Sequence, residues 1–414
     1  QRQMCIRDRL RTDLWSLAIP PDPEEFLRRF CELPGANPEV LRRFFGTQRE
    51  VAGALWKLFD DPSLLPPLTG TSILRHLSRT PSYAPVLRWI RHSLRDVVAH
   101  HHLQDWEPLL IYLDAVSQIT VQAKASDAEA PFAMAAVDYF FRGTGHVHGG
   151  IGQLAWALVD AIQSAGGQVS LANRVKGIHR ENGGWRLETR KGDIRARQVV
   201  ANILPQTLGK MVTPQLNGAL HDVERAVEDG WGAAMLYFAV DADAPDREAA
   251  HHLQLINKRE APLNEGNHVF CSISAATETE RAPEGQRTVT ASTHVPMRTL
   301  QSLSPDEQGE YIASIQDRMR DTIERRAPNL WAGRTFATTA SPRTFERFTG
   351  RHLGYVGGVP RRVGLRHYRP RALLPREAER GLYAVGDSVL LGQSTLAVAL
   401  GGVRTAEVIA KRDT

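Results

Sequence analysis

The chain has 414 residues, 42% of them apolar, which suffices for one large or two medium domains and excludes disorder as its overall state. Lysine and arginine exceed aspartate and glutamate by 51 to 46. This basic excess is spread along the chain, which argues against a nucleic-acid partner and suits an anionic membrane surface. The cysteines, Cys5, Cys31 and Cys271, are too far apart for a metal or redox motif, so a reducing, cytoplasmic setting is expected.

Membrane contact, if it occurs, is expected to be peripheral and on the inner face, because no run of about 18 apolar residues is present. The first nine residues, QRQMCIRDR, lack both an initiating Met and a periodic apolar pattern. We interpret residues 1–9 as a non-native scar and leave them out of the fold prediction.

Residues 10–142 are predicted to form a helical region. The segments PEEFLRRFCEL, PEVLRRFFGTQREVAGALWKLF and APVLRWIRHSLRDVVAHHHL carry apolar residues at helical spacing, with Pro and Asp between them. Such a layer could face a membrane and build a substrate tunnel, or it could be an ordinary helical core, and the pattern does not choose between them.

Residues 143–212 are predicted to contain one helix and a three-stranded meander. The helix, IGQLAWALVDAIQS, ends at Gly166 and Gly167 and places these apolar residues on one face: Ile151, Leu154, Ala155, Leu158, Val159 and Ile162. The strands are QVSLANRVKGI, WRLET and IRARQVVANI, separated by glycine turns. A helix followed by such a meander is the order found inside large FAD folds.

Residues 213–345 are predicted to form a sheet covered by helices. The stretches AAMLYFAV, HVFCSISA and RTVTASTHV read as strands, and DEQGEYIASIQDRMRDTIERRAP reads as a helix. Residues 346–414 end in a buried strand at 382–385, a glycine-rich loop and a terminal helix.

The closing segment, residues 381–404, carries the most chemistry. Gly386 and Asp387 end a strand, where a carboxylate can accept hydrogen bonds from ribose or ribityl hydroxyls. Gly392 and Gln393, with the helix start at Ser394–Thr395, offer backbone N–H groups and a positive dipole end to a flavin carbonyl or a pyrophosphate. Spacing alone fits an ordinary strand, loop and helix equally well.

Three blocks together resemble one family. VGDS, GQ and AVALGGVRTAEVI are similar to the carboxyl-terminal flavin motif of phytoene desaturases, carotenoid cis-trans isomerases and carotenoid 3',4'-desaturases. ATTASPRTFERFTGRHLGYVGGVP and HGGIGQLAWALVDAIQSAGGQVSLANRVKGI resemble further blocks of that family. The resemblance implies FAD as the cofactor, with Asp387 on the ribityl chain, Gly386 beside the pyrophosphate, and Gly392 and Gln393 near the isoalloxazine ring.

The same resemblance puts Val175 near the adenine and Asn202 at the edge of the cofactor. It implies an α/β protein with an FAD/NAD(P)-binding Rossmann-like fold and a mixed sheet-plus-helix substrate domain. The family opens with a strand and a GxGxxG turn, which this sequence lacks, since GTGHVHG at 143–149 has the spacing GxGxxxG and reads as a loop. We therefore expect the fold to be incomplete, with its first βαβ unit missing, and the isolated piece to bind FAD poorly.

The function implied by the resemblance is desaturation of a carotenoid or similar hydrophobic polyene by hydride transfer to flavin. SPRTFERFTG and GQSTLAVALGG look closer to the 3',4'-desaturase group. The alternatives are a carotenoid cis-trans isomerase using reduced FAD, a non-enzymatic isoprenoid-binding protein on the same fold, which the flavin motif disfavours, and an amine oxidase. The histidines at 100–102, 146 and 148 are read as polar surface or loop residues rather than metal ligands, and no catalytic residue is assigned.

Overall fold

The computed structural model describes residues 8–143, 145–216, 218–245, 249–390 and 392–413. Its α-helices are α1 (Pro23–Cys31), α2 (Pro38–Phe59), α3 (Gly70–Arg79), α4 (Ala84–Trp89), α5 (Leu94–His100), α6 (Glu107–Thr120), α7 (Ala130–Asp138), α8 (Gly152–Ser164), α9 (Pro205–Met211), α10 (His221–Glu228), α11 (Met297–Gln301), α12 (Pro305–Arg326), α13 (Pro328–Ala332), α14 (Pro342–Thr349), α15 (Pro370–Leu373) and α16 (Thr395–Asp413). Its strands are β1 (Asp8–Arg11), β2 (Ser16–Ile19), β3 (Val175–Glu181), β4 (Gly184–Thr189), β5 (Gly192–Ala196), β6 (Val199–Ala201), β7 (Val212–Thr213), β8 (Trp231–Asp241), β9 (His251–Ile256), β10 (His268–Ile273), β11 (Gln286–Pro296), β12 (Arg334–Ala340), β13 (Arg376–Glu379) and β14 (Leu382–Ala384).

The largest sheet has seven strands in the order β12-β8-β11-β10-β9-β1-β2. Strand β11 alternates buried and half-buried residues along its whole length, so one face packs inward, as a period of two requires. Helix α12 packs across that face through Ile315, Met319 and Ile323, all fully buried. The predicted strands at β8, β10 and β11 and the predicted helix at α12 are confirmed.

The helical region is confirmed from α1 to α7, where it surrounds an aromatic core. Phe26 lies with its ring centroid 5.3 Å from those of Phe30 and Tyr112, and all three side chains are buried. Asp22 and Asn37 cap α1 and α2 by accepting backbone N–H bonds, and a proline opens each of these helices. No helix among the described residues is long and apolar enough to cross a membrane.

Two strands precede these helices, which the prediction of a purely helical start missed. β1 pairs antiparallel with β2 and parallel with β9, and Leu10 and Leu17 are buried beneath the sheet. Excluding Asp8 and Arg9 from the fold was wrong, because both lie in β1 and the Asp8 carboxylate meets His252 at 3.0 Å. Residues 1–7 of the proposed scar lie outside the described part of the chain.

The meander β3-β4-β5 is confirmed, with two boundary corrections. The predicted strand QVSLANRVKGI begins only at Val175, since no strand of the described chain pairs with residues 168–174. The predicted strand IRARQVVANI divides into β5 and β6, because the chain leaves the meander there and enters a second sheet. In that second sheet β6 pairs in parallel with β14, and β13 pairs antiparallel with the other edge of β14.

Helix α8 forms where predicted and ends through the left-handed Gly166, whose neighbour Gly167 donates its N–H to the Ile162 carbonyl. Its apolar face is not buried, although its spacing is that of a core-facing helix. Ile151 is 70% exposed and Leu158 66%, and no residue of α8 is buried. None of the described elements covers this face.

Candidate active site

A cavity of about 690 Å³ lies between the helical layer and the segment that joins β14 to α16. Its apolar wall consists of Leu55, Leu58, Phe59, Leu64, Leu65, Pro66, Leu68, Val86, Ile90 and Phe132. The opposite wall includes three of the predicted cofactor residues, Asp387, Gly392 and Gln393. The structure therefore brings an apolar compartment directly against the predicted flavin segment.

Asp387 follows the buried strand β14 by three residues, so the sheet fixes its position. Leu382, Tyr383 and Ala384 are at most 3% exposed, and the chain then turns out of the sheet. The Asp387 carboxylate accepts a hydrogen bond from the Arg351 guanidinium at 2.9 Å, and its side chain is about a quarter exposed. It can therefore still accept bonds from ligand hydroxyls.

Gly386 and Asn202 meet at the carboxyl ends of the parallel pair β14 and β6. A Cβ on Gly386 would lie 2.5 Å from the Asn202 Oδ1 atom, and the Gly386 φ of +112° suits glycine alone. A second glycine closes the turn, because a Cβ on Gly358 would lie 2.2 Å from the Asp387 carbonyl oxygen. The turn after β14 thus depends on bare backbone, as a close approach to a ligand requires.

Gln393 is oriented by the helical layer. Its Nε2 donates to the Ile119 carbonyl at 3.1 Å and to the Thr120 carbonyl at 2.6 Å, which fixes the amide plane. Its Oε1 is buried and has no hydrogen-bond partner among the described residues. A buried acceptor without a donor is costly, so a ligand N–H or O–H is expected opposite it.

Ser394, Thr395 and Val175 do not line the cavity. Ser394 has a φ of +121°, and its Oγ accepts the Ala397 N–H, so it ends the loop and caps α16, which begins at Thr395. Val175 begins β3 and packs against the core that contains Leu382. Gly386 and Asn202 also lie outside the cavity lining. Contact of all eight predicted residues with FAD stays a prediction.

The residues present fit a flavin in two respects. The orphaned Gln393 Oε1 can accept from a ring N–H, and the Asp387 carboxylate, about a quarter exposed at the cavity wall, can accept from the hydroxyls of a polyol chain. Gly392, at a φ of +81°, has no atom within 4 Å of its Cβ position, so the loop is open at this point. That this segment holds FAD stays a prediction, with which these features are compatible.

A buried ion pair beneath the cavity was missed by the sequence prediction. The Glu129 side chain is fully buried and accepts a hydrogen bond from Arg361 Nε at 2.9 Å and another from the Tyr368 hydroxyl. Burial raises the pKa of Glu129, although the Arg361 guanidinium opposes that shift. Arg361 also lies over the Phe132 ring, 3.3 Å from its centroid. The two partners are 232 residues apart, so no local pattern predicts their pairing. The sequence offers only an acidic residue at the start of α7 and two adjacent arginines at 361–362.

His367 lies on the same wall and was also missed, because an isolated histidine in RHYRPR carries no pattern. It lines the cavity, and its Nε2 has no partner among the described residues. Burial, together with Arg361 and Arg366, lowers the pKa of His367 to about 3. The imidazole is therefore neutral near pH 7, and its buried Nε2 has no partner among the described residues.

The histidines discounted as ligands are held in other ways. His146 pairs with the Glu278 carboxylate at 2.8 Å. The segment 143–149 is an irregular loop, as predicted, except that Thr144 lies outside the described residues. His101 contacts the Thr47 hydroxyl at 3.0 Å. Among the described residues, no three His, Cys, Asp or Glu side chains are grouped to hold a metal ion.

The fold and the site define a flavin-dependent α/β oxidoreductase: a strand-turn-helix cofactor segment, a meander and a large substrate-domain sheet. Residues 19–410 match the family described as flavin containing amine oxidoreductase. The chain belongs to this family, and the resemblance to the carotenoid-modifying branch is confirmed by its relatives.

Those relatives include plant prolycopene isomerases. The chain is 26% identical over 326 residues to the chloroplastic prolycopene isomerase of Arabidopsis thaliana, covering 76% of this chain and 53% of that protein. It is 26% identical over 420 residues to prolycopene isomerase 2 of an Oncidium hybrid cultivar, covering 96% and 68% of the two chains. The chain thus spans 53% and 68% of the lengths of these two relatives.

Solved structures share the fold. Cyclohexylamine oxidase from Brevibacterium oxydans IH-35A aligns with a TM-score of 0.57 at 13% identity, covering 100% of this chain and 82% of that one. Putrescine oxidase bound to putrescine aligns with a TM-score of 0.56 at 12% identity, covering 99% and 82%. At these identities the likeness shows the architecture alone.

Proposed function

We propose that the protein is an FAD-dependent enzyme that acts on a carotenoid or similar hydrophobic polyene. The observation that carries this proposal is the cavity, in which ten apolar side chains of the helical layer face Asp387, Gly392 and Gln393. A hydrocarbon chain bound there would lie against the cofactor segment and be shielded from water. Burial of its apolar surface would supply the binding energy.

The charge of the cavity disfavours an amine substrate. Six of the described lining residues are arginines and three are aspartates, so a protonated amine would meet net positive charge. The lining aromatics Phe59, Phe132 and Tyr368 do not form a free cage, since Phe132 is covered by Arg361 and the Tyr368 hydroxyl donates to Glu129. An uncharged polyene is compatible with both facts.

Bound flavin supplies two-electron chemistry at a carbon of the polyene, as an acceptor in its oxidised form or as a donor when reduced. The chain's own residues would do the rest. Gln393 would orient the ring through its free Oε1, Asp387 would bind the polyol, and the apolar wall would hold the polyene and exclude water. His367 stays neutral, because burial and two arginines lower its pKa to about 3, so it could accept a hydrogen bond but not hold a released proton.

Two reactions are proposed, and different observations favour them. Cis-trans isomerisation with reduced FAD is supported by the relatives named prolycopene isomerases. Desaturation is supported by the resemblance of SPRTFERFTG and GQSTLAVALGG to the 3',4'-desaturase group. Both need the same cavity and cofactor segment, and we place isomerisation first because its support spans nearly the whole chain.

The test uses the purified protein, supplied with FAD and a poly-cis carotene in detergent. Isomerisation gives a product of unchanged mass and altered chromatographic retention. Desaturation gives a product two hydrogens lighter, with absorption at longer wavelength because conjugation is extended. If the carotene is bound but returned unchanged under both oxidising and reducing conditions, the protein is an isoprenoid-binding protein rather than an enzyme.

A cytoplasmic location on the inner face of a membrane is part of the same proposal. A hydrocarbon polyene partitions into lipid, so an enzyme that uses it must meet a bilayer. The described residues contain no spanning helix, so the contact would be peripheral.

A further inference from the structure

The cavity carries an excess of positive charge. Its described lining contains six arginines and three aspartates: Arg225, Arg361, Arg366, Arg369, Arg371 and Arg376, with Asp222, Asp229 and Asp387. The partners that lie outside the lining do not change this balance, because Glu129 pairs with Arg361 and Arg351 pairs with Asp387. The surplus is therefore three guanidinium groups, at a cavity whose other wall is apolar.

Three of the six arginines have a carboxylate partner, and three have none among the described residues. The paired ones are Arg361 with Glu129, Arg366 with Asp229, and Arg376 with Asp222. Arg225, Arg369 and Arg371 are exposed, and their guanidinium groups make no ion pair or hydrogen bond with any residue that the structure describes. One such arginine is ordinary, but three at one cavity create a positive field that attracts anions.

The three unpaired arginines lie on two pieces of chain that ion pairs hold together. Two of the pairs above join α10 to the segment 366–376, one near each end of the helix. Arg225 lies on α10 between the two paired aspartates, three residues after the first and four before the second, so it shares their side of the helix. Arg369 and Arg371 lie between the two paired arginines of the facing segment. The ion pairs thus hold the unpaired arginines at one wall of the cavity.

A buried donor at the same wall has no acceptor. Arg376 lines the cavity and is 6% exposed. Its Nη2 donates to the Asp222 carboxylate and to the Ala219 carbonyl, whereas its Nε has no hydrogen-bond partner among the described residues. A buried polar group without a partner is costly. Independently of the exposed arginines, Arg376 therefore indicates that an acceptor from a ligand is expected at this wall.

The chemistry of the wall identifies the kind of acceptor. A guanidinium group binds carboxylate and phosphate oxygens through paired N–H donors and stays charged. The attraction is stronger inside a cavity than in water, because the effective dielectric constant is lower. The opposite wall offers ten apolar side chains, among them Leu55, Phe59 and Phe132. The cavity thus complements an amphiphile that consists of a hydrocarbon chain with an anionic end.

We propose that the cavity binds an isoprenoid polyene with an anionic end group, a carboxylate or a phosphate, and that Arg225, Arg369 and Arg371 bind this group. The inference rests on the proposed function and narrows its substrate class. The FAD pyrophosphate is a less suitable partner, because Gly386, which is predicted beside it, lies outside the cavity lining. An end group fixed at α10 sets how far the chain reaches along the apolar wall, and so which carbon lies beside Gln393.

The test is equilibrium binding to the purified protein, with two pairs of ligands that differ in charge. All-trans-retinoic acid and its methyl ester are followed by quenching of tryptophan fluorescence. Geranylgeranyl diphosphate and geranylgeraniol are followed by their displacement of the retinoid. We expect the anionic member of at least one pair to bind about tenfold more tightly than its uncharged match, and the difference to shrink at high salt. The first pair reports on carboxylates, and the second on phosphates.

Charge-removing variants test the arginines themselves. Arg369→Gln with Arg371→Gln should weaken binding of the anionic ligand by about fivefold and leave its uncharged match unchanged, and Arg225→Gln should weaken it by about a further twofold. The matched control is Arg190→Gln with Arg343→Gln, which removes the same charge from two exposed arginines outside the cavity lining and should change neither affinity. Circular dichroism and urea midpoints equal to the wild type would show that the variants fold.

Equal affinity of the wild-type protein for the charged and uncharged members of both pairs would overturn the proposal, whether or not the variants fold. So would an anion preference that survives the changes at Arg369 and Arg371, or that the control variant loses equally. Weaker FAD retention in the variants, with the anion preference unchanged, would assign the arginines to the cofactor. Selective binding of the anionic ligand without conversion of any polyene would instead overturn the proposed function alone.

Discussion

Removing the Glu129 carboxylate should destabilise the wall of the cavity. Glu129→Ala leaves the Arg361 guanidinium, only 18% exposed, without its counter-charge and leaves the Tyr368 hydroxyl without its acceptor. Breaking a buried ion pair from one side costs about 3–5 kcal/mol, and an unpaired hydroxyl adds about 1 kcal/mol. The residual exposure of Arg361 and its contact with Phe132 reduce the total, so we expect a loss of about 3 kcal/mol.

Urea unfolding with a fitted slope measures this loss directly. The control is Glu32→Ala, which removes an exposed pair with Arg28, both side chains being over 60% exposed, and should change stability by less than about 0.5 kcal/mol. Combining Glu129→Leu with Arg361→Met replaces both charges and should recover most of the loss. A Glu129→Ala protein within about 1 kcal/mol of wild type, or a double variant no better than the single one, would refute the reasoning.

Three further predictions concern the cofactor segment and the pH dependence. Gly386→Ala should lower FAD retention by about tenfold, because its Cβ would lie 2.5 Å from Asn202 Oδ1 at a φ of +112°. The control is Gly402→Ala, whose Cβ meets no atom within 4 Å and which should leave flavin absorbance unchanged. Gln393→Met removes the orphaned acceptor and should weaken FAD by about tenfold in a fluorescence titration; equal affinity would exclude contact with the ring. Burial lowers the pKa of His268 to about 3 and of His294 to about 4, whereas an unfolded histidine has a pKa of 6.5. The unfolded state therefore takes up protons first, and the free energy of unfolding falls as the pH drops from about 6.5 towards 4. Urea midpoints between pH 4.5 and 8 should show this fall, and His268→Leu should flatten it; an unchanged slope would remove His268 as a cause.

Local pattern was enough for the elements whose burial follows a simple period. The alternation in RTVTASTHV gave β11, and the apolar run after Gly381 gave β14 and with it the position of Asp387. The helical segments at 23–31 and 38–59 likewise followed from the spacing of their apolar residues, with proline and aspartate between the segments. In each case the residues that decide the structure lie within a few positions of one another.

What the sequence did not reveal depends on contacts between distant segments. The four residues of β1 pair with nearby β2, and they join the large sheet through β9, more than 240 positions away. Glu129 and Arg361 form an ion pair across 232 residues. The unpartnered, buried state of the His367 Nε2 likewise depends on the tertiary fold rather than on neighbouring residues. The face of α8 was recognised correctly as apolar, but a helical period cannot say what covers it, and none of the described elements does.

The most direct test of the whole account is the flavin content of the purified protein after reconstitution with FAD. We expect about one flavin per chain, with visible absorption perturbed when a polyene is added, because the proposed cofactor residues Asp387, Gly392 and Gln393 line the same cavity as the apolar wall. A protein that takes up no flavin, or whose flavin spectrum ignores a bound polyene, would contradict the claim that the cavity and the cofactor segment form one active site.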